Sequence, residues 1–158
     1  MTGTLITVMY FIAVFLVLLL FIYLRYGILW SVFQSLKSNI FEKAKIFLRF
    51  TPYTPLLCKT SKGYYNWGLA IINLKEKNVD LAESFLLKAI EYSLRTKNDL
   101  AIVYIALSEI YLSKNEYDKF NLYIDKATST PHKHLLNEGI DRLKSSYNKK
   151  ISNEVHNE

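Results

Sequence analysis

Phe41-Glu-Lys-Ala44-Lys-Ile-Phe-Leu48, Val79-Asp-Leu-Ala82-Glu-Ser-Phe-Leu86 and Tyr117-Asp-Lys-Phe120-Asn-Leu-Tyr-Ile124 are three blocks of one chain, spaced 38 residues apart. Each sets down an apolar residue, a small or apolar one three later, and another apolar one four beyond that, which is the spacing of one helical face. The later two continue to Ala89 and Ala127, again 38 apart; the first has Thr51 there and is the weakest copy. A further helix is predicted before each of the later blocks, over Tyr64–Leu74 and Leu100–Leu112. Asn78 and Asn115 suit N-caps, with Asp80 and Glu116 near the positive helix ends, and Asn98-Asp99 does the same for the helix from Leu100. Antiparallel helix pairs recurring at this period signal a solenoid. With 5 glycines and 3 prolines in 158 residues, breakers are scarce, which favours helices with short connections.

The stretch Leu107-Ser-Glu-Ile-Tyr111-Leu-Ser-Lys-Asn-Glu-Tyr117-Asp-Lys-Phe120 resembles the core of a tetratricopeptide repeat, continued by Ile124, Ala127 and Pro131. The earlier copy supplies Trp67-Gly68, Ile71, Val79, Ala82, Leu86 and Ala89. Ser108 stands where the family has a packing glycine, and Phe120 where it has a small alanine. The spacing exceeds the common value of about 34, as in the longer-repeat branch of the family. The resemblance covers residues 61–131 well and 28–50 poorly. It implies a concave groove lined by the first helix of each pair, here Tyr65, Leu69 and Ile72, then Ile102, Ile105, Glu109 and Leu112. That lining is apolar with one acid. The family's carboxylate-clamp Lys and Asn positions read Tyr65 and Leu69, so capture of an acidic tail is not implied. An apolar groove suits an amphipathic partner helix, a second copy of the chain, or its own C-terminal helix folded back.

Ahead of the repeats lies an apolar run, Leu5 to Leu24 (LITVMYFIAVFLVLLLFIYL), without charge or proline. At the helical rise it matches a hydrocarbon core of about 30 Å. No basic residue precedes it and Arg25-Tyr26 follows in place of a small-residue cleavage site, so it reads as a retained single-pass transmembrane anchor rather than a signal peptide. Arg25, Lys37, Lys43, Lys45 and Arg49 follow the run, which places the N-terminus outside and residues 25–158 in the cytoplasm. Tyr23, Arg25, Tyr26 and Trp30 are the expected membrane-interface residues. The run holds no Asp, Glu, Lys, Arg or His and no small-xxx-small pair, so it reads as neither an ion path nor a dimerisation helix of that type.

The formal charge of +6 is concentrated near the anchor and in the tail. Anionic lipid and topology account for it, and no nucleic-acid motif accompanies it. Cys58 stands alone, which excludes an intrachain disulfide. No phosphate-binding loop, zinc motif or nucleophile elbow is present, and His132 and His134 have no third ligand nearby. Neither catalysis, a cofactor nor a metal is therefore expected.

Residues 28–50 admit two readings. Leu29, Phe33, Leu36, Ile40, Ala44 and Phe47 form an apolar stripe that suits an amphipathic helix on the bilayer, while the register at Phe41, Ala44 and Leu48 suits a degenerate first repeat. Thr130-Pro131 is read as a helix start, and Leu135, Leu136, Ile140, Leu143 and Tyr147 as the apolar stripe of a capping helix with a wet outer face.

The expected architecture is all-α. An anchor (1–25) leads to a juxtamembrane helix or degenerate repeat with its linker (26–60), two tetratricopeptide-like repeats (61–131), a C-terminal capping helix (132–150) and a polar tail (151–158). The expected function is a membrane-tethered, non-catalytic scaffold for protein–protein interaction. Its partners would be the lipid bilayer and a protein, a second copy of the chain being one candidate. The alternative is an accessory subunit of a membrane complex for transport or envelope assembly. Abundant Lys, Asn, Ile and Tyr fit a bacterial inner membrane, with an organelle anchor facing the cytosol as the other location.

Overall fold

A computed structural model describes the backbone of residues 2–22, 28–37, 41–49 and 57–155. Among them every regular element is a helix: α1 (Thr2–Ile22), α2 (Ile28–Lys37), α3 (Phe41–Arg49), α4 (Lys59–Lys75), α5 (Val79–Glu91), α6 (Lys97–Ser113), α7 (Tyr117–Ser129) and α8 (Leu135–Val155). The all-α class is what the chain adopts.

The 38-residue period governs where helices begin. α3, α5 and α7 start at Phe41, Val79 and Tyr117; α4, α6 and α8 start at Lys59, Lys97 and Leu135. The closest pairs are α2/α3, α4/α5 and α6/α7, and α4, α6 and α8 each pack on the pair before them. Val32, Ala70 and Ser108 are equivalent by that period and all fully buried. Ala44, Ala82 and Phe120 form a second such set, and Leu48, Leu86 and Ile124 a third. Phe120 breaks the small-residue pattern because its ring stacks on Tyr147 of α8, 4.8 Å between centroids. The larger side chain fills the space where the last pair meets α8.

Residues 28–37 and 41–49 form two helices, and Ile40 of the expected stripe lies outside the described residues. Val32, Ala44 and Leu48 form a small cluster with Ile72 of α4. A Cβ at Gly68 would meet Val32 and Leu48 at 3.4–3.5 Å, ordinary contact. The α2–α3 hairpin thus stacks on α4 as a first repeat would. Gly63 allows a tighter approach between α4 and the end of α5, where a Cβ would fall 2.6 Å from the Ser93 carbonyl oxygen.

Several helix ends differ from expectation. Thr96 caps α6, its Oγ1 accepting the Asp99 N–H at 3.0 Å. Asn98 instead accepts the Lys133 N–H through Oδ1 at 3.0 Å, tying the α7–α8 connection down. Asn78 occupies the α5 N-cap without a side-chain bond, and Glu116, not Asn115, holds that position in α7. The two hairpin turns are closed from the helix before them. Lys77 (φ 62°) and Asn115 (φ 58°) are left-handed, and the next N–H groups, of Asn78 and Glu116, bond the Asn73 and Tyr111 carbonyls at 2.9 Å. α8 begins at Leu135, beyond Pro131, because Thr130 and Pro131 end α7. Ile140, Leu143 and Tyr147 pack into the main core, and Lys150 Nζ donates to the Leu112 carbonyl at 2.8 Å and to Asn115 Oδ1 at 2.6 Å. α8 therefore caps the last pair.

α1 stands apart from this packing. Of its 21 residues, the described side chains, Ile6 to Leu19 and Ile22, are all exposed. Among the described residues no helix is long and apolar enough to cross a membrane. Tyr23, Arg25 and Tyr26 lie outside the described residues, as does the Trp30 side chain.

Candidate functional site

The first helices of successive pairs repeat by translation, so equivalent positions form rows across the array. Ile102, Ile105, Glu109 and Leu112 on α6 shift back by one period to Tyr64, Trp67, Ile71 and Leu74 on α4. All four of these α4 residues pack with Ile102, Ile105 and Leu112 around the main core. Tyr65 and Ile72 lie one residue beyond Tyr64 and Ile71, about 100° round the helix, and Leu69 lies two beyond Trp67. They pack toward Val32, Ala44 and Leu48 of the first hairpin instead. The expected lining is therefore split. Ile102 and Ile105 are half-buried and Glu109 is exposed. Ile72 and Leu112 are buried, the latter with its carbonyl held by α8.

The row on α4 is extended by Phe33 of α2. Its ring lies 5.5 Å from Tyr64, edge-on, and 5.1 Å from Trp67. Tyr64 and Trp67 are 5.9 Å apart. The Tyr64 hydroxyl donates to Asp99 Oδ2 at 2.5 Å, joining α4 to α6. Burial, reinforced by the Asp99 carboxylate, pushes this phenol up to about 12, so it stays a neutral donor. Phe33, Tyr64 and Ile71 were not among the expected lining residues, and Trp67 was expected only as a repeat-motif residue. The signal that finds them is the period itself, applied to the α6 row.

What this face offers is aromatic and aliphatic surface with one exposed carboxylate, Glu109. Elsewhere, His132 is engaged through both ring nitrogens, by the Thr130 carbonyl at 2.5 Å and Asn137 Oδ1 at 2.7 Å. Cys58 is half-buried at the N-cap of α4 with Sγ 3.1 Å from Ser61 Oγ. Among the described residues no three His, Cys, Asp or Glu side chains converge as a metal site would require.

The junctions between pairs carry ion pairs. Lys45 of α3 pairs with Glu76 at the end of α4, and one period later Glu83 of α5 pairs with Lys114 at the end of α6, at 2.5 and 2.6 Å. The positions are equivalent and the charges are exchanged. The second pair is reinforced: Lys114 also reaches Asp80 at 2.5 Å, and the Tyr111 hydroxyl donates to Glu83 at 2.7 Å. Burial works to raise the Glu83 carboxyl, but the Lys114 and Tyr111 hydrogen bonds outweigh it and hold the group below its usual range.

No protein-family model, no curated protein and no solved structure matches this chain.

Proposed function

We propose that this chain is a membrane-anchored scaffold of tetratricopeptide-like hairpins that holds a protein partner on its cytoplasmic side and catalyses nothing. The observation that carries this reading is the contrast between α1, charge-free and exposed at every described side chain, and a separately packed helical array behind it. In the sequence the charge-free run Leu5–Leu24 has the length of a bilayer span. The basic residues after it favour an N-out orientation, and a bacterial inner membrane fits the composition. Tethering raises the local concentration of the array, so a modest apolar face suffices for recruitment. On this reading Phe33, Tyr64, Ile71, Ile102 and Ile105 receive an amphipathic helix and Glu109 orients it.

A second reading, an accessory subunit gripped through α1, is favoured by the exposure of that helix all round from Ile6 to Leu19. Crosslinked purification of the full chain from its own membrane separates the two. Glu109→Arg, at an exposed position, should release the partner under the scaffold reading and leave it under the subunit reading. Val14→Leu paired with Phe15→Ala, which keeps the run apolar while reshaping its surface, should do the reverse.

A further inference from the structure

The end of the array next to α1 contains a cavity of about 360 Å³ between α2 and α3, lined by Ser31, Gln34, Ser35, Lys43, Ile46 and Phe47. The period shows how unusual that lining is. Ser31, Gln34 and Ser35 stand one repeat before Leu69, Ile72 and Asn73, and two before Leu107, Ile110 and Tyr111. At the inner junctions Leu69 and Ile72 pack on the preceding hairpin, and Ile110 and Tyr111 are buried in the main core. At this end the same face carries two hydroxyls and an amide.

One of those hydroxyls is out of keeping with burial. Ser35 is only 9 % exposed, and its hydroxyl has no hydrogen bond among the described residues. Other helical serines, Ser84, Ser108, Ser113 and Ser145, each bond a carbonyl one turn back. A buried polar group without a partner is costly and calls for one. Lys43, on the rim, is exposed and makes no ion pair among the described residues, whereas its neighbour Lys45 is held by Glu76. Ile46, 51 % exposed, adds an apolar lip.

A hydroxyl facing inward, an amide, a free ammonium and an apolar lip are the complement of a phosphate ester that carries a hydrocarbon chain. We propose that this cavity seats the headgroup of an anionic phospholipid, with Lys43 pairing with the phosphate, Ser35 donating to it and Ile46 meeting the first acyl carbons. The lipid is chosen over free phosphate because residues 23–27 alone separate α2 from α1. This assignment rests on α1 being in the membrane, which brings this end of the array to the bilayer surface.

The test uses the full chain in uncharged detergent, with bound lipid read by native mass spectrometry. Phosphatidylglycerol, phosphatidylcholine and inorganic phosphate are the probes. Wild type should retain one phosphatidylglycerol in preference to phosphatidylcholine, undisplaced by millimolar phosphate. Lys43→Glu should weaken retention roughly tenfold, as expected for reversing one basic charge near an anionic headgroup. Ser35→Ala should weaken it several-fold without changing the helical circular dichroism, and Lys149→Glu, remote from the cavity, should leave it unchanged. Equal retention of both lipids, equal losses in Lys43→Glu and Lys149→Glu, or full displacement by inorganic phosphate would each overturn the lipid assignment. Alkaline extraction of native membranes reads the anchor separately. A chain that is stripped off by carbonate refutes the anchor, whatever lipid the micelle experiment finds.

Discussion

The junction of α3 with α4 and the junction of α5 with α6 are the same place built twice. Both bring together the small and leucine positions of one hairpin and the next first helix, and both are closed by an ion pair at equivalent positions. They differ in depth. The Lys45 and Glu76 side chains are 55 % and 42 % exposed, those of Lys114 and Glu83 24 % and 18 %. Behind the first pair lies the small cluster of Val32, Ala44, Leu48 and Ile72; behind the second lies the main core with Leu86, Leu107 and Tyr111. Repetition of position does not bring repetition of energy, because a charge pair is stabilising in proportion to how far water is kept from it and how many further bonds it makes.

The largest test of that difference is in the apolar layer. Leu86→Ala and Leu107→Ala should each destabilise by about 2–5 kcal/mol, and Leu48→Ala should fall at the low end or below. Urea unfolding of the detergent-solubilised chain, followed by circular dichroism, reads this; equal losses at all three sites would mean that the two junctions are equally deep. Gly63→Ala comes next. Its Cβ would meet the Ser93 and Ala89 carbonyls, backbone that moves only with α5, so a loss of about 1–3 kcal/mol is expected. Gly68→Ala, which meets only side chains at ordinary contact, should be near neutral, and a comparable penalty for both would contradict the close approach at Gly63.

Smaller again is the charge layer. Glu83→Gln removes the charge partner of Lys114 and weakens the acceptor of Tyr111, for a cost of about 1–2 kcal/mol. Glu76→Gln should produce no measurable change. The Glu83 contribution also has a pH signature. Its carboxyl is held below the ordinary value of 4.5, so the stability it adds is fully present above that value and is lost as pH falls through the lowered one. Melting of wild type and Glu83→Gln compared from pH 7 to pH 3 should show a gap that closes at the acid end; a gap independent of pH would show that Glu83 acts without its charge. The exchanged polarity predicts, last, that reversing both partners, Glu83→Lys with Lys114→Glu, restores part of what either reversal alone removes. Asp80 and Tyr111 limit the recovery.

Much of the fold was legible because its period is written in side chains that must be small or leucine to let helices close. Ala44, Ala82, Leu48, Leu86, Ala89 and Ala127 announce the hairpins, and α3, α5 and α7 begin at the first residues of the three quoted blocks. On α4 the expected lining residues Tyr65, Leu69 and Ile72 pack toward the first hairpin, since the packing follows Ala70, the counterpart of Ser108, whereas Trp67-Gly68 matches a family pattern. A motif match of two residues is weaker than a translation that aligns six. Helix ends were read from side-chain identity, but Asn78 and Asn115 lie in turns closed by backbone bonds, where the side chain is not needed. The cavity between α2 and α3 was illegible for another reason: a polar residue at a packing position reads as surface until the neighbours that bury Ser35 are known.

Three non-glycine residues, Lys77, Ser93 and Asn115, turn the chain through left-handed backbone at φ 62°, 67° and 58°. Asn115 is spoken for by Lys150, but the Lys77 and Ser93 side chains, both exposed, make no hydrogen bond or ion pair among the described residues. Each costs about 1 kcal/mol that glycine would not. The fold therefore carries two unused increments of thermal tolerance, open to a lineage moving to warmer habitats or to anyone preparing the protein for crystallisation, and neither lies on the apolar face or on the cavity between α2 and α3.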